Sequence, residues 1–247
     1  ILLATAYGAA LGLSTSVLIG TLLMTQFVAF PYALIYGRIP NPKSEWRSAF
    51  VFMLLWTGVT MPVLGLYANR QGNEAVGIGT AFMLIAADQI LGAGLAVTIG
   101  RRLFQSLAER LDAKRAVILG LLIYTVIPIW GFFLKTQAEF FMIGWLVGTV
   151  QGGTQALSRS IYSSLAPRAK SGEFFGLYGL SEKFAGILGP LLYALVGGIT
   201  QSPRASVLSI SVFFALGIYT LSRVNVTDGM RIALSEEAVI EAAHAAD

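Results

Sequence analysis

Three polar residues recur at intervals of four near the end of an apolar segment: Gln151, Gln155 and Arg159. In a helix, this spacing places them on one face. Hydrocarbon offers no hydrogen bonds, so side chains of this kind inside a membrane need partners from the protein or from water. Two interpretations follow. The amides bond across a packed helix interface, or the stripe faces a water-filled path and binds a polar solute.

A glycine stripe lies beside the glutamine stripe on the same segment. Gly144, Gly148 and Gly152 also recur at every fourth residue. Small residues at this spacing let the backbones of two membrane helices approach closely. The pattern therefore predicts a second helix packed along this face.

The next apolar segment carries Glu182 and Lys183 well inside its boundary. Charges at that depth cost several kcal/mol unless they are paired or hydrated. Adjacent helix residues do not face each other, so these two cannot satisfy one another. Tyr178 precedes Glu182 by one turn on the same face. Either Lys183 extends to the membrane surface and Glu182 makes a structural bond, or both contact substrate and Glu182 also carries a coupling proton.

Three further polar positions raise related questions. Arg159 ends one helix and Glu173 starts the next, on the same membrane face, where both charges suit the helix dipoles. An Arg159–Glu173 contact would act as a gate on that face; the alternative is ordinary helix capping. Gln26 lies in an earlier apolar segment and is a weaker candidate for substrate binding. Asp88, near the middle of another segment, must be protonated or paired, and one interpretation is that it carries a proton.

The composition explains why these residues stand out. The 247-residue chain is 55% hydrophobic and 12% charged, with a mean hydropathy of +0.71, whereas soluble domains have about 25% charged residues. Lipid is therefore the predicted solvent. The chain has no cysteine and one histidine, which argues against thiol nucleophiles, disulfides and Cys/His metal sites. We expect no metal, no cofactor, no nucleic-acid partner and no enzyme activity.

The hydropathy pattern predicts an all-α, polytopic transmembrane helix bundle. A span needs about 20 apolar residues, and the long apolar runs lack the alternation of barrel strands. Seven runs qualify: 14–37, 49–68, 76–100, 116–134, 139–159, 174–199 and 205–223.

The distribution of Lys and Arg predicts the orientation of the bundle. Basic residues concentrate in alternate loops, and such loops face the cytoplasm. These loops carry Arg38, Lys43, Arg47, Arg101, Arg102, Arg110, Lys114, Arg115, Arg159, Arg168, Lys170, Arg223 and Arg231. Seven crossings fit this alternation and place the C-terminus in the cytoplasm.

Three segments outside these runs have their own predictions. The charged segment 101–115 predicts an amphipathic helix on the inner membrane surface, with its apolar face formed by Leu103, Phe104, Leu107 and Leu111. The tail predicts a short polar helix or disorder. The chain starts at Ile1 without a charged leader, so we expect a fragment whose residues 1–10 end a truncated helix.

A family resemblance rests on GTVQGGTQALSRSIYSSLAPRAKSGEFFGLYGLSEKFAGILGPLLYALVG (148–197). This stretch closely resembles the signature of the vacuole-effluxer-like, autophagy-related branch of the major facilitator superfamily, with VQGG, QALSRS, a proline, GEFFG and EKFAGILGP. LAERLDAKRAV (107–117) resembles the charged loop motif of that superfamily, with Glu109 where Asp is usual and Asp112 where Gly is usual. Residues 4–38 resemble the start of its C-terminal half.

The resemblance implies a partial major-facilitator C-terminal domain with an insertion. In that family the helix ending in Gly-Arg leads directly into the basic loop, whereas here the runs 49–68 and 76–100 lie between them. The expected organisation is 1–38, the end of a truncated helix plus the first complete membrane helix; 39–100, an inserted two-helix hairpin; 101–115, the basic loop; 116–223, four membrane helices; and 224–247, a cytoplasmic tail. Asp88 lies in this added hairpin and is therefore set aside from the shared transport path; the role of the hairpin is open, and one position for it is outside the bundle. Runs 116–134 and 205–223 would face lipid.

The functional expectation is a secondary transporter that moves a small polar solute by alternating access, with amino-acid efflux suggested by eukaryotic relatives. A missing N-terminal half would complete the site in a prokaryotic plasma membrane. Expected substrate-binding residues are Gln26, Gln151, Gln155, Tyr178, Glu182 and Lys183, and expected gating residues are Arg159 and Glu173. The alternatives are a non-transporting membrane scaffold or receptor that retains the fold, and a lipid-moving facilitator.

Overall fold

The computed structural model describes residues 2–72 and 76–246, with the backbone alone for 2, 241 and 243–246. The described residues form helices joined by short loops, without strands. The helices are α1 (Leu2–Ala10), α2 (Thr15–Arg38), α3 (Arg47–Gln71), α4 (Ile78–Leu95), α5 (Arg101–Leu103), α6 (Gln105–Arg110), α7 (Ala113–Phe133), α8 (Gln137–Leu165), α9 (Ser171–Thr200), α10 (Pro203–Ser209), α11 (Ser211–Arg223) and α12 (Val226–Ala246). A π-helical turn, Ala96–Gly100, joins α4 to α5, and a 3₁₀ turn, Arg168–Lys170, precedes α9. The all-α membrane bundle is thus confirmed.

Six helical segments in the described part of the chain are long and apolar enough to cross a membrane. They correspond to six of the seven predicted runs. The seventh run lies in α8, which is roughly 43 Å long at 1.5 Å per residue. Its polar residues lower its mean hydropathy below that of the other six segments, yet other helices surround much of it. The count of seven crossings stays a prediction.

Helices α2 and α8 form the most extensive contact of the bundle. A Cβ atom at Gly148 would lie 2.8 Å from Val28 Cβ, and one at Gly152 would lie 2.8 Å from the Ala29 carbonyl oxygen. Only glycine fits so close an approach. The predicted glycine-stripe interface is therefore confirmed, with α2 as the partner helix.

The basic loops lie together at one end of the bundle, called here the basic end. Arg47 donates hydrogen bonds to the carbonyls of Ile39 and Ala108, both at 2.6 Å. Lys114, at the start of α7, donates to the carbonyl of Val224 at 2.7 Å. These bonds join the loops after α2, α6 and α11, as the alternation of charge required. Which side of the membrane the basic end faces stays a prediction.

The predicted hairpin does not pack outside the bundle along its whole length. Helix α3 contacts α8 and fully buries Val51, Leu54 and Met61. Gly65 makes room for the Trp130 ring, since a Cβ atom there would lie 1.9 Å from it. Helix α4 covers α3 and keeps half of its residues exposed. The loop residues 73–75 lie outside the described part of the chain.

Helix α7 also departs from the expectation of lipid exposure. It packs against α8, α10 and α11 and buries Val117, Ile123 and Trp130. Glycine at position 120 allows this approach, because a Cβ atom there would lie 2.2 Å from Thr154 Cγ2. Helix α11 exposes a broad apolar surface, as predicted.

The basic segment and the tail differ in detail from their predictions. The helix over 101–115 breaks at Phe104, so Ala108 and Leu111 face the protein while Leu103 and Leu107 are exposed. The last apolar run divides at Ile210 into α10 and α11. The tail forms α12, a 21-residue helix.

Candidate functional site

A cavity of about 590 Å³ lies between the helices. Its volume falls within the range of about 300–1,000 Å³ that is usual for small-molecule sites. Residues of α1, α2, α7, α8 and α9 and of the α10–α11 region form its largely apolar walls. Gln151 and Gln155 both line it, together with Thr21, Thr25 and Tyr124. The glutamine stripe therefore faces a cavity rather than a fully packed interface.

Two polar atoms of the residues lining this cavity are shielded from solvent without a partner in the described part of the protein: Gln151 Oε1 and Thr21 Oγ1. Leaving a buried polar group unpaired costs about 1–3 kcal/mol. Thr25 differs, since its hydroxyl reaches the carbonyls of Thr21 and Gly144 at 2.8 and 3.0 Å. Neither atom is open to the cavity as it stands, so each would bond a polar molecule there only after its side chain turns.

The arrangement of α8 explains why its glutamines border the cavity. The glycine stripe is pressed against α2, as shown by the close approach at Gly148 and Gly152. Gln151 and Gln155 lie one position to the side, so they emerge at the edge of that contact. Thr21 and Thr25 on α2 point toward the same edge. The polar part of the cavity is therefore a seam along the α2–α8 contact.

A charged and aromatic cluster lies beyond the cavity toward the loop that joins α8 to α9. Arg159 Nη2 lies 2.9 Å from Glu182 Oε1, and its guanidinium carbon lies 5.9 Å from the centre of the Tyr178 ring. The Tyr178 and Tyr162 rings are 5.0 Å apart, centre to centre. Arg159 is one turn beyond Gln155, and Glu182 is about one turn beyond Ala185, which lines the cavity. The ion pair therefore bridges α8 and α9 at one end of the cavity.

Glu173 does not contact Arg159, contrary to the sequence expectation. Arg159 lies six residues before the end of α8, or roughly 9 Å from it, which brings it level with the later turns of α9. Tyr162 holds the start of α9 by donating to the Phe174 carbonyl at 2.8 Å, and Glu173 is exposed. The pairing partner is Glu182 instead.

Two predicted binding residues lie apart from these groups. Gln26 is exposed on α2 and does not line the cavity, while its neighbour Thr25 does. Lys183 is exposed on α9, and no ion pair reaches it from the residues that the structure describes. The binding roles of Gln26 and Lys183 stay predictions.

Sequence reasoning missed Glu139, a fully buried carboxylate at the end of the bundle opposite the basic end. It accepts hydrogen bonds from Trp130 Nε1 at 3.2 Å, Asn69 Nδ2 at 3.1 Å and Thr136 Oγ1 at 3.1 Å. Thr136 and Glu139 also form a capping box at the start of α8. The spacing Thr-x-x-Glu before an apolar run is the known signal of that motif and would have indicated this role.

Comparison with known proteins places the chain in a family. Residues 73–234 match the model of the family described as vacuole effluxer Atg22 like. The uncharacterized MFS-type transporter YxiO of Bacillus subtilis is 32% identical over 196 residues, covering 75% of this chain and 43% of the relative. Autophagy-related protein 22 of Kluyveromyces lactis is 31% identical over 130 residues, covering 49% of this chain and 26% of the relative. Autophagy-related protein 22-2 of Aspergillus fumigatus is 23% identical over 231 residues, covering 82% of this chain and 37% of the relative.

The chain spans less than half the length of these relatives. No solved structure matches it. The names of the relatives refer to transport and autophagy rather than to catalysis, in agreement with the prediction that the chain is not an enzyme. Because the family model covers more than half of the chain, the chain belongs to the vacuole effluxer Atg22-like family of integral membrane proteins.

Proposed function

We propose that the protein is a secondary transporter that moves a small polar solute across the membrane by alternating access. One observation carries this proposal: Gln151 Oε1 and Thr21 Oγ1 lack partners among the described residues, and both side chains line a cavity of solute size. A scaffold would gain stability by pairing or replacing such groups. A solute-binding site can use them once a side-chain rotation turns them into the cavity.

The Arg159–Glu182 pair supplies a gate at the basic end of the cavity. It joins α8 to α9 through exposed side chains, and exposed ion pairs contribute little to stability. The pair can therefore break and reform as the helices move. Alternating access requires contacts of this kind, closing one side of the site while the other is open.

The solute that suits these groups is an amino acid or a similar zwitterion, exported from its compartment. Amide groups of Gln151 and Gln155 would bond its polar atoms in the cavity. Glu182, with the ring of Tyr178 beside it, suits an amine, whereas Arg159 or Lys183 suits a carboxylate. The family description as an effluxer supports outward movement. Glu182 would also be the group to exchange a coupling proton.

The exposed face of α9 supports a second domain in the complete protein. None of its described residues is buried, although it carries Glu182 and Lys183. We propose that an N-terminal half packs against α9 and completes the site. The basic end would face the cytoplasm, because Lys and Arg accumulate in cytoplasmic loops, and the membrane would be a prokaryotic plasma membrane.

Flux measurements test this proposal. The full-length protein is reconstituted into proteoliposomes and supplied with labelled amino acids, with and without a pH gradient. Gln151→Leu should lower flux about 5- to 10-fold, the effect of losing one hydrogen bond to the solute. Gln71→Leu, at the exposed end of α3, is the matched control and should retain wild-type flux. Absence of flux for every solute, or wild-type flux in Gln151→Leu, would exclude this assignment.

A further inference from the structure

A second polar group lies away from the cavity, between α3, α4 and α2. Its centre is Asp88, the eleventh residue of α4 and about 15 Å along that helix. This depth corresponds to the middle of a membrane span. An ionisable residue at such a depth is costly and most often functional. Transport through the α2–α8 seam makes no use of it.

The Asp88 carboxylate accepts hydrogen bonds from neutral donors alone in the described part of the chain. Trp56 Nε1 lies 3.2 Å from Oδ1, and Thr60 Oγ1 and Gln89 Nε2 each lie 3.0 Å from Oδ2. No described Lys or Arg forms an ion pair with it. Neutral groups of the protein therefore hydrogen-bond the carboxylate, and no described cation neutralises its charge.

The Gln89 side chain connects the carboxylate to α2. While its Nε2 donates to Asp88, its Oε1 accepts from Tyr32 OH at 2.7 Å and from Thr57 Oγ1 at 3.2 Å. Tyr32 belongs to α2, directly after Pro31. A proline inside a helix removes one backbone hydrogen bond and allows bending there. The chain of bonds thus ends on α2 beside its internal proline.

The same groups can satisfy a protonated carboxyl. The Thr60 hydroxyl also lies 2.9 Å from the Trp56 carbonyl, so it can turn its proton to that carbonyl when Oδ2 is protonated and donates to Gln89 instead. Gln89 can rotate its amide to place Oε1 toward Asp88 and Nε2 toward Tyr32 and Thr57. Hydroxyl groups both donate and accept. Each protonation state therefore has a complete set of partners, and the change between them reverses the bonds that reach α2.

We propose that Asp88 is a reversible proton-binding site, with Oδ2 as the atom that takes the proton, and that its occupancy is transmitted through Gln89 and Tyr32 to α2 next to Pro31. Because α2 packs along α8 beside the cavity, this site would couple the hairpin to the transport seam.

The surroundings of Asp88 add few competing charges. Helix α3 presents Trp56, Thr57 and Thr60, none of which titrates in the physiological range, and α2 presents Tyr32. The described charged residues of α8, Glu139 and Arg159, bond elsewhere. Arg101, beyond the π-helical turn, stacks on Trp46 with 4.7 Å to the ring centre. A pH response of this cluster would therefore report Asp88.

Infrared spectroscopy of the protein in lipid nanodiscs tests proton binding without measuring flux. On acidification, the wild-type spectrum should gain the C=O band of a protonated carboxyl in a poorly hydrated site. Asp88→Asn, which preserves size and hydrogen bonding, should lack this band, and Asp88→Glu should restore a shifted one. Glu45→Gln, in an exposed loop, should leave the band unchanged. A band absent from the wild type, or independent of pH, would overturn the site.

A distance measurement tests the transmission separately. Spin labels at Gly20→Cys and Gly37→Cys, both in open space, lie on either side of Pro31 and about 25 Å apart at helical rise. Their distance should shift with pH in the wild-type background and stay constant in Asp88→Asn and in Tyr32→Phe. A pH-dependent infrared band without any distance change would overturn the coupling to α2. If the protein transports no solute, the infrared band and the spin-label distance still decide whether Asp88 binds a proton and acts on α2.

Discussion

Arg159 on α8 and Glu182 on α9 form an ion pair with 2.9 Å between Nη2 and Oε1, while their side chains remain 59% and 50% exposed. The contact lies one helical turn beyond the cavity on both helices. Tyr162 of α8 also contacts α9, at Phe174 and Tyr178, and α9 buries none of its described residues. An exposed ion pair and the contacts of Tyr162 thus join α8 to α9.

Removal of either charge should open the basic end of the cavity. In the proposed transporter, Glu182→Gln should raise the rate at which a water-soluble thiol reagent labels Gln151→Cys, at a half-buried position lining the cavity, from that end, because the bridge to Arg159 is lost. The double exchange Arg159→Glu with Glu182→Arg should restore the slower rate. Glu173→Gln is the control and should leave the rate unchanged. Equal effects of Glu173→Gln and Glu182→Gln would contradict the observed pairing.

The close contact between α2 and α8 should make Gly148 intolerant of a side chain. A methyl group there would lie 2.8 Å from Val28 Cβ and 2.9 Å from the Thr25 carbonyl, so Gly148→Ala should destabilise the bundle by about 1–3 kcal/mol. Thermal unfolding in detergent measures the change. Gly176→Ala adds the same methyl group to α9 in open space and should have a much smaller effect. Similar losses in both variants would argue against the tight interface.

Glu139 should be a major determinant of stability at the end opposite the basic end. Its oxygens accept from Trp130, Asn69 and Thr136 as well as from the backbone N–H of Lys135. Glu139→Gln turns one acceptor oxygen into a donor that faces these donors, which should cost about 1–3 kcal/mol. Unfolding curves and the tryptophan emission of the protein should both report this loss.

A matched change on the surface separates this network from a general charge effect. Glu109→Gln removes an exposed carboxylate from α6, where it accepts from Gln105 at 3.1 Å. It should leave both readouts close to those of the wild type. If Glu139→Gln also leaves both readouts unchanged, the hydrogen bonds of Glu139 contribute nothing measurable to stability.

The C-terminal helix should detach in part when its ion pairs are neutralised. Glu236 pairs with Lys170, and Glu237 pairs with Arg168 at 3.8 Å, so both acids tie α12 to the loop between α8 and α9. Glu236→Gln with Glu237→Gln should speed amide hydrogen exchange in α12, and high salt should do the same in the wild type by screening. Amides around Leu146 should stay protected in every case. Unchanged exchange in α12 would mean that the apolar contacts of Leu165 and Ala233 hold the helix in place without the ion pairs.

Apolar runs predicted the membrane helices because burial in lipid demands them, and the glycine stripe identified the face of α8 that meets α2. The sequence could not place the hairpin, whose helix α3 buries Val51 and Met61 against the bundle. An apolar side chain that faces lipid and one that faces a neighbouring helix give the same hydropathy pattern. For this reason, the predicted position of the hairpin outside the bundle was wrong for α3.

The site was predictable where an unusual residue stands in an apolar run, as with Gln151 and Glu182. Thr21 escaped notice because threonine in a membrane helix often bonds to its own backbone, as Thr25 does. Whether Glu173 or Glu182 is the partner of Arg159 depends on how far α8 and α9 are shifted along each other, which sets the level at which their residues face one another. Helical periodicity gives the face of each residue but not that level.

Cysteine accessibility tests the central claim, a hydrated solute path along Gln151, most directly. The chain contains no cysteine, so a single Gln151→Cys substitution gives a unique label site in this part of the protein. A small, charged, water-soluble thiol reagent should modify Gln151→Cys in the membrane-embedded protein and should spare Leu146→Cys, whose position on the same helix is 0% exposed. Saturating solute should slow the labelling of Gln151→Cys. A Gln151→Cys thiol as unreactive as Leu146→Cys, with and without solute, would contradict the account.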